Sequence, residues 1–155
     1  MLIILDDLSG VEIRELLEIH FAGMLSHSPC GACHFLDIEA LKGPTVTFWS
    51  VRDNQAVAGC GALKEMDSQH GEIKSMRTHP NYLRKGVARL LLDHIISTAK
   101  LRGYRRLSLE TGSGDAFEPA IRLYESRGFV PCSAFGGYTE NPFSRFYALE
   151  LSDSP

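Results

Sequence analysis

Cysteine is scarce in this chain and poorly placed. Four cysteines occur in 155 residues, at Cys30, Cys33, Cys60 and Cys132, too few and too unevenly spaced to staple a small secreted fold. Neither sign of charge is in excess. Sixteen basic residues stand against nineteen acidic ones, for a net charge of −3, and the basic residues form no tail. That balance points away from nucleic acid and from an anionic membrane surface as partners. No apolar run approaches the roughly 18 residues of a membrane span. The N-terminal run Met1–Asp7 lacks the basic region and cleavage site of a signal peptide, so its apolar part reads as a strand. The expectation is a cytoplasmic protein. Internal repeats, low-complexity tracts and linkers are missing too, which predicts a single domain over 1–151 and a frayed tail over 152–155. A composition of 44% hydrophobic and 23% charged residues suits one buried core.

Hydrophobic periodicity orders what is present. Leu2–Leu5 reads as a strand. Ser9 with Glu12 resembles a capping box, and Ile13, Leu16, Leu17, His20, Phe21 and Met24 then keep helical spacing. An irregular stretch over Ser26–Pro44 holds at most a short helix near Asp37–Leu41. Strand-like runs follow at Thr45–Val51, Ala56–Lys64 and Glu72–Thr78, the first two separated by a polar turn, Arg52–Gln55. Gly86–Arg102 is an amphipathic helix with stripes at Val87, Leu91, Ile95 and at Ala88, Leu92, Ala99, and Gly103 ends it. After a strand at Arg106–Thr111, Asp115 and Glu118 suggest a second capping box. The helix it opens runs to Arg127, with Pro119 in the first turn. Strands near Phe129–Ala134 and Arg145–Leu151 complete an α/β (α+β) pattern, a mixed sheet with helices on its faces.

The segment from Glu72 to Leu92 carries the chemistry. A strand passes through a short basic loop, Leu83-Arg-Lys-Gly-Val-Ala88, into a long helix. Such a junction aims backbone N–H groups and the positive helix end at one point, which suits a phosphate or pyrophosphate. Gly86 permits close backbone approach, Arg84 and Lys85 add charge, and Ala88 is too small to block a ligand. Other phosphate loops are absent: there is no G-x-x-x-x-G-K-[ST] and no G-x-G-x-x-G after a strand. Taken alone, the basic loop is weak evidence and reads more readily as an ordinary solvated helix start.

Leu83–Ala88 resembles the [Q/R]-x-x-G-x-[G/A] loop of the GNAT superfamily of N-acetyltransferases. Ala120-Ile-Arg-Leu-Tyr-Glu-Ser-Arg-Gly-Phe129 resembles the second signature of that family, A-x-x-L-Y-x-x-x-G-F. The runs GEIKSMRT, LRKGVA, LSLETG, PA-x-x-LYE and GF-x-PC-x-x-F-x-x-Y also look like a bacterial subgroup of it. Two positions depart from the pattern: Leu83 replaces the usual Gln or Arg, and Phe117 stands where an asparagine is common. The resemblance implies the acyl-CoA N-acyltransferase fold, a mostly antiparallel sheet of about six or seven strands flanked by about four helices. It implies acetyl-CoA as co-substrate and a small amine as acceptor, with no metal, and it admits a homodimer paired through the C-terminal strands.

Roles for individual residues follow from the resemblance. A backbone N–H near Met76 polarises the thioester carbonyl, so Met76, Arg77 and Thr78 join Leu83, Arg84, Lys85, Gly86, Val87 and Ala88 as expected cofactor contacts. Tyr124 faces the coenzyme sulfur as general acid, or it merely packs its helix onto the sheet. Glu72 matches the glutamate that some members use as general base, and alternation places it on one face with Lys74 and Met76. A glutamate at a strand start is more often a solvated one, and Glu110 is the second choice of base. A further reading keeps the fold without catalysis, as an acyl-CoA-binding sensor.

His27, Cys30, Cys33 and His34 have the residue types of a zinc site. They crowd into eight residues without a second knuckle, so substrate contact is the better reading of that loop. His20 reads as a satisfied core residue, and Cys60 and Cys132 as buried strand cysteines.

Overall fold

A computed structural model describes residues 1–27 and 37–151. Its centre is a seven-stranded sheet in the order β1-β2-β3-β4-β5-β7-β6. The strands are β1 (Leu2–Leu5), β2 (Val46–Asp53), β3 (Ala56–Asp67), β4 (His70–Thr78), β5 (Arg106–Thr111), β6 (Val130–Pro131) and β7 (Arg145–Glu150). Every pairing is antiparallel except that of β4 with β5. Helices α1 (Val11–His27) and α2 (Ile38–Leu41) cover one face, and α3 (Val87–Leu101) and α4 (Glu118–Ser126) the other. This is the mixed sheet with four helices that the sequence pattern predicts.

Each helix is held by the stripe it buries. On α3 the buried side chains are Val87, Leu91, Leu92, Ile95 and Ala99, which meet Trp49, Val51, Ala58, Leu63 and Ile73 of the sheet in one apolar cluster. On α1, Ile13, Leu16 and Leu17 are wholly buried against Phe48, Val57 and Ala62 on the opposite face. Among the described residues no helix is long and apolar enough to cross a membrane.

Local details differ from the sequence pattern in four places. Ser9 does not cap α1; its hydroxyl donates to Asp7 Oδ1. Asp115 opens a short 3₁₀ turn rather than α4, whose N-cap Phe117 makes no side-chain capping bond, although Pro119 does sit in the first turn. Arg52 and Asp53 stay in β2, so the turn is Asn54-Gln55, with Asn54 left-handed at φ 56°. The strand expected over Phe129–Ala134 shrinks to two residues, which places Cys132 just beyond β6 and half-buried, whereas Cys60 is buried within β3. The tail at 152–155 lies outside the described residues.

The feature that builds the site is a bulge in β4. The β3–β4 register pairs Ala62 with Lys74 and Cys60 with Arg77, so Gly61 faces two residues of β4. Ser75 takes the extra step at φ 57°, and a bulge of this kind flips the alternation beyond it. Glu72 and Lys74 keep the face the sequence predicts, but Met76 does not share it. Met76 packs against the α3 side, where its sulfur would lie 2.5 Å from a Cβ on Gly61. Arg77 is thereby turned toward α1.

Candidate active site

Pairing of β4 with β5 covers only His70–Ile73 against Arg106–Leu109. Beyond it β4 runs on to Thr78, bonded to β3 alone, while Glu110 and Thr111 of β5 pair with β7. The strands therefore part, and the free edge of β4 opens into a cavity of about 600 Å³. Met76, Arg77, Thr78, Leu83, Arg84, Val87, Ala88, Tyr124 and Glu72 all line it, with Glu110 on the β5 wall. Two residues of the expected set, Lys85 and Gly86, fall outside the lining.

At one end lies the start of α3. Gly86 is its N-cap in the left-handed region (φ 81°) without a side-chain capping bond. A Cβ there would meet nothing within 4 Å. The first intrahelical bond runs from Leu90 N–H to the Gly86 carbonyl, so the preceding amides of the turn are free for an anion. Lys85 leans over the Tyr82 ring, 5.3 Å from its centre.

Tyr124 of α4 also lines the cavity. Only 7% exposed, it meets Phe129 edge-on, and burial pushes its phenol up to about 12. It is thus a protonated donor at any physiological pH. Phe117 replaces the polar group expected near it with an apolar wall and packs edge-on against Phe143.

Glu72 is not a solvated strand start. It is 3% exposed, its Oε2 accepts from Lys74 Nζ at 3.2 Å and from the Tyr138 hydroxyl at 2.5 Å, and Lys74 also donates to Tyr138. Burial, then the Glu72 charge, push the Tyr138 phenol well above its ordinary range. Sequence reasoning gave Tyr138 no role, although it closes the GF-x-PC-x-x-F-x-x-Y run. It missed Ser75 as well, whose Oγ is buried without a hydrogen-bond partner among the described residues; a bulge has no signature in hydrophobic alternation.

His20 is 5% exposed, as a core residue would be, yet it lines the cavity and its Nδ1 accepts from Arg77 Nε at 3.0 Å. Burial, then the Arg77 charge, hold the imidazole down at about 3, against about 6.5 in the unfolded chain. The unfolded state takes up this proton first, so the contribution is whole above pH 6.5 and fades as pH falls toward 3. Acidifying from pH 7 to 5 is expected to cost about 2 kcal/mol through this group. His20→Gln should flatten the melting-temperature profile over that interval, and parallel profiles would contradict the assignment. Among the described residues no three His, Cys, Asp or Glu side chains are grouped to hold a metal ion; Cys30, Cys33 and His34 lie outside them.

The sequence model of the acetyltransferase (GNAT) family matches residues 12–129. The chain belongs to that family. This GNAT protein is 52% identical over 147 residues to YsnE of Bacillus subtilis, an uncharacterized N-acetyltransferase, covering 95% of this chain and 97% of that one. It is 48% identical over 149 residues to YedL of Escherichia coli, an uncharacterized N-acetyltransferase as well, covering 96% and 94%. These kinships make the chain an acyltransferase of the acetyl-transferring kind. A solved GNAT acetyltransferase of Elizabethkingia anophelis, with acetyl-CoA bound, shares the fold at a TM-score of 0.68 and 17% identity, over 97% of each chain.

Proposed function

We propose that this GNAT protein moves the acetyl group of acetyl-CoA to the nitrogen of a small amine, by direct attack within a ternary complex. The observation that carries the reading is the parting of β4 from β5 between the open start of α3 and Tyr124. A pantetheine arm needs a line of unpaired backbone partners, and the free edge of β4 from Lys74 to Thr78 supplies one. The first turn of α3, with Arg84 beside it, suits the pyrophosphate. Acetyl-CoA bound in the Elizabethkingia fold relative supports the choice of donor.

Each chemical demand then has a residue. The Met76 N–H polarises the thioester carbonyl and stabilises the oxyanion. Glu72 accepts the amine proton through Oε1, directly or through water, because Oε2 is already occupied by Lys74 and Tyr138. As the new C–N bond forms and the C–S bond breaks, Tyr124 donates its hydroxyl proton to the departing sulfur. The proton on Glu72 and the second one lost from nitrogen pass to solvent, which reprotonates Tyr124, so both residues end the cycle as they began. Thiol release from acetyl-CoA in the presence of an amine panel tests the reading. No release with any amine, from folded protein that binds acetyl-CoA, would sink it.

Tyr124 separates catalysis from packing. Tyr124→Phe keeps the ring against Phe129 and deletes the hydroxyl, so kcat should fall about 10²-fold or more while melting temperature and acetyl-CoA affinity hold. Tyr124→Ala should instead lose about 3–5 kcal/mol of stability. Product release can mask the first effect, so single-turnover rates are the proper measurement. Full single-turnover rate in Tyr124→Phe would leave the residue as packing alone.

A further inference from the structure

The guanidinium of Arg77 has an unusual environment. The Ser75 bulge turns the side chain across the sheet to α1, where it is half-buried on the cavity wall. His20 fixes it twice, Nδ1 accepting from Nε at 3.0 Å and the backbone carbonyl from Nη2 at 3.5 Å. Gly23, one turn along α1, makes the room: a Cβ there would lie 3.1 Å from Nη2 and 3.5 Å from Nη1. Arg52, Arg127 and Arg106 pair with Asp6, Asp93 and Glu150. Arg77 pairs with no carboxylate among the described residues, and its one side-chain partner is a neutral imidazole. Taking an arginine charge half out of water is costly without an opposite charge. Here a helix, a histidine and a glycine hold that charge beside the cavity.

The neighbouring charges sharpen the picture. Glu72, paired with Lys74 at 3.2 Å, and Glu110 both line the cavity together with Arg77. Ammonium and carboxylate on one molecule would each meet an opposite sign, whereas a polyamine would meet Arg77 as a like charge.

We propose that Arg77 binds a carboxylate on the acceptor, which makes the acceptor an amino acid or a close analogue rather than a simple amine. The inference rests on the acetyl-transfer reading and deepens it. Arg77 follows Met76 directly on the free edge of β4. An acceptor whose amine meets the thioester beside Met76 lies in the cavity that Arg77 also lines, and the fork of N–H groups suits bidentate binding of its carboxylate.

The test uses matched substrates: the common L-amino acids, each beside its own carboxamide. Thiol release and binding to the CoA-loaded protein are measured for both series. For the amino acids that react, kcat/KM should exceed that of the amide by about 10–100-fold, mostly through KM. In Arg77→Gln that ratio should collapse toward one, because the acids lose and the amides do not. Arg77→Lys should recover part of it, since charge returns without the fork. Amides as good as acids in the wild-type protein would overturn the proposal, and those arms stand even where a variant fails to fold. So would an unchanged ratio in folded Arg77→Gln, or loss of acetyl-CoA affinity there, which would give the side chain to the cofactor. Failure of the transfer reading looks different: no amine of either series releases thiol. Binding of acids over amides to the CoA-loaded protein would then still uphold this site, and its absence would remove it.

Discussion

Gly86→Glu is expected to give a folded protein without measurable affinity for acetyl-CoA. Gly86 sits left-handed at φ 81° with open space where a Cβ would go, so the substitution costs about 1–2 kcal/mol of backbone strain. The larger effect is electrostatic. A carboxylate at the N-cap occupies the positive helix end and repels the pyrophosphate that would use the same amides. Affinity should fall by at least about 10²-fold, or roughly 2.7 kcal/mol. Gly86→Asn is the companion variant, because asparagine tolerates the left-handed region and carries no charge. It should keep most of the affinity. Equal, near-normal binding by both variants in calorimetry would move the pyrophosphate away from this loop.

Glu72→Gln should lower kcat about 10²–10⁴-fold, the range of a lost general base. Loss of charge also leaves Lys74, 8% exposed in its side chain, without its counter-ion, and a buried pair broken on one side costs about 3–5 kcal/mol. A drop in rate alone could therefore report a damaged site. The pH dependence separates the two causes. Above the pKa of the amine, the acceptor arrives already neutral and needs no first deprotonation, so the gap between variant and wild type should narrow. Damage to the site would keep the gap constant. Tyr138→Phe, which removes one bond to Oε2 and keeps the ion pair, should cost far less than Glu72→Gln. A full-rate Glu72→Gln enzyme would falsify the assignment and pass the role to Glu110 or to water.

Much of the fold was legible because it rests on local pattern. The stripe Val87, Leu91, Ile95 names the buried face of α3, and the runs around β2, β3 and β5 have the alternation of strands. Part of the cavity lining was legible for a different reason: a family geometry carried by two motifs of fixed spacing pointed to Met76, Ala88 and Tyr124, which line it, but also to Lys85 and Gly86, which do not. What escaped depends on contacts between distant segments. Glu72 looks like a solvated residue until Tyr138, sixty-six positions later, covers it. His20 looks like plain core until the bulge sends Arg77 to it. That bulge is one residue of extra chain at Ser75, and alternation read straight through it places Met76 on the wrong face. Ser9 and Asp115 had the residue types of caps, but Asp7 and the 3₁₀ turn took the bonds instead.

The short parallel ladder between β4 and β5 has a mechanical consequence. Edge to edge, the two arms of the sheet meet over four residue pairs only, so the molecule resembles a book with a narrow spine. A ligand lodged between the pages works as a splint. By mass action it adds about 2.7 kcal/mol at a hundred times its dissociation constant, and it does so where β4 and β5 part. On the proposed chemistry that splint is acetyl-CoA. The heat resistance of the protein would then rise and fall with the acetyl-CoA concentration around it.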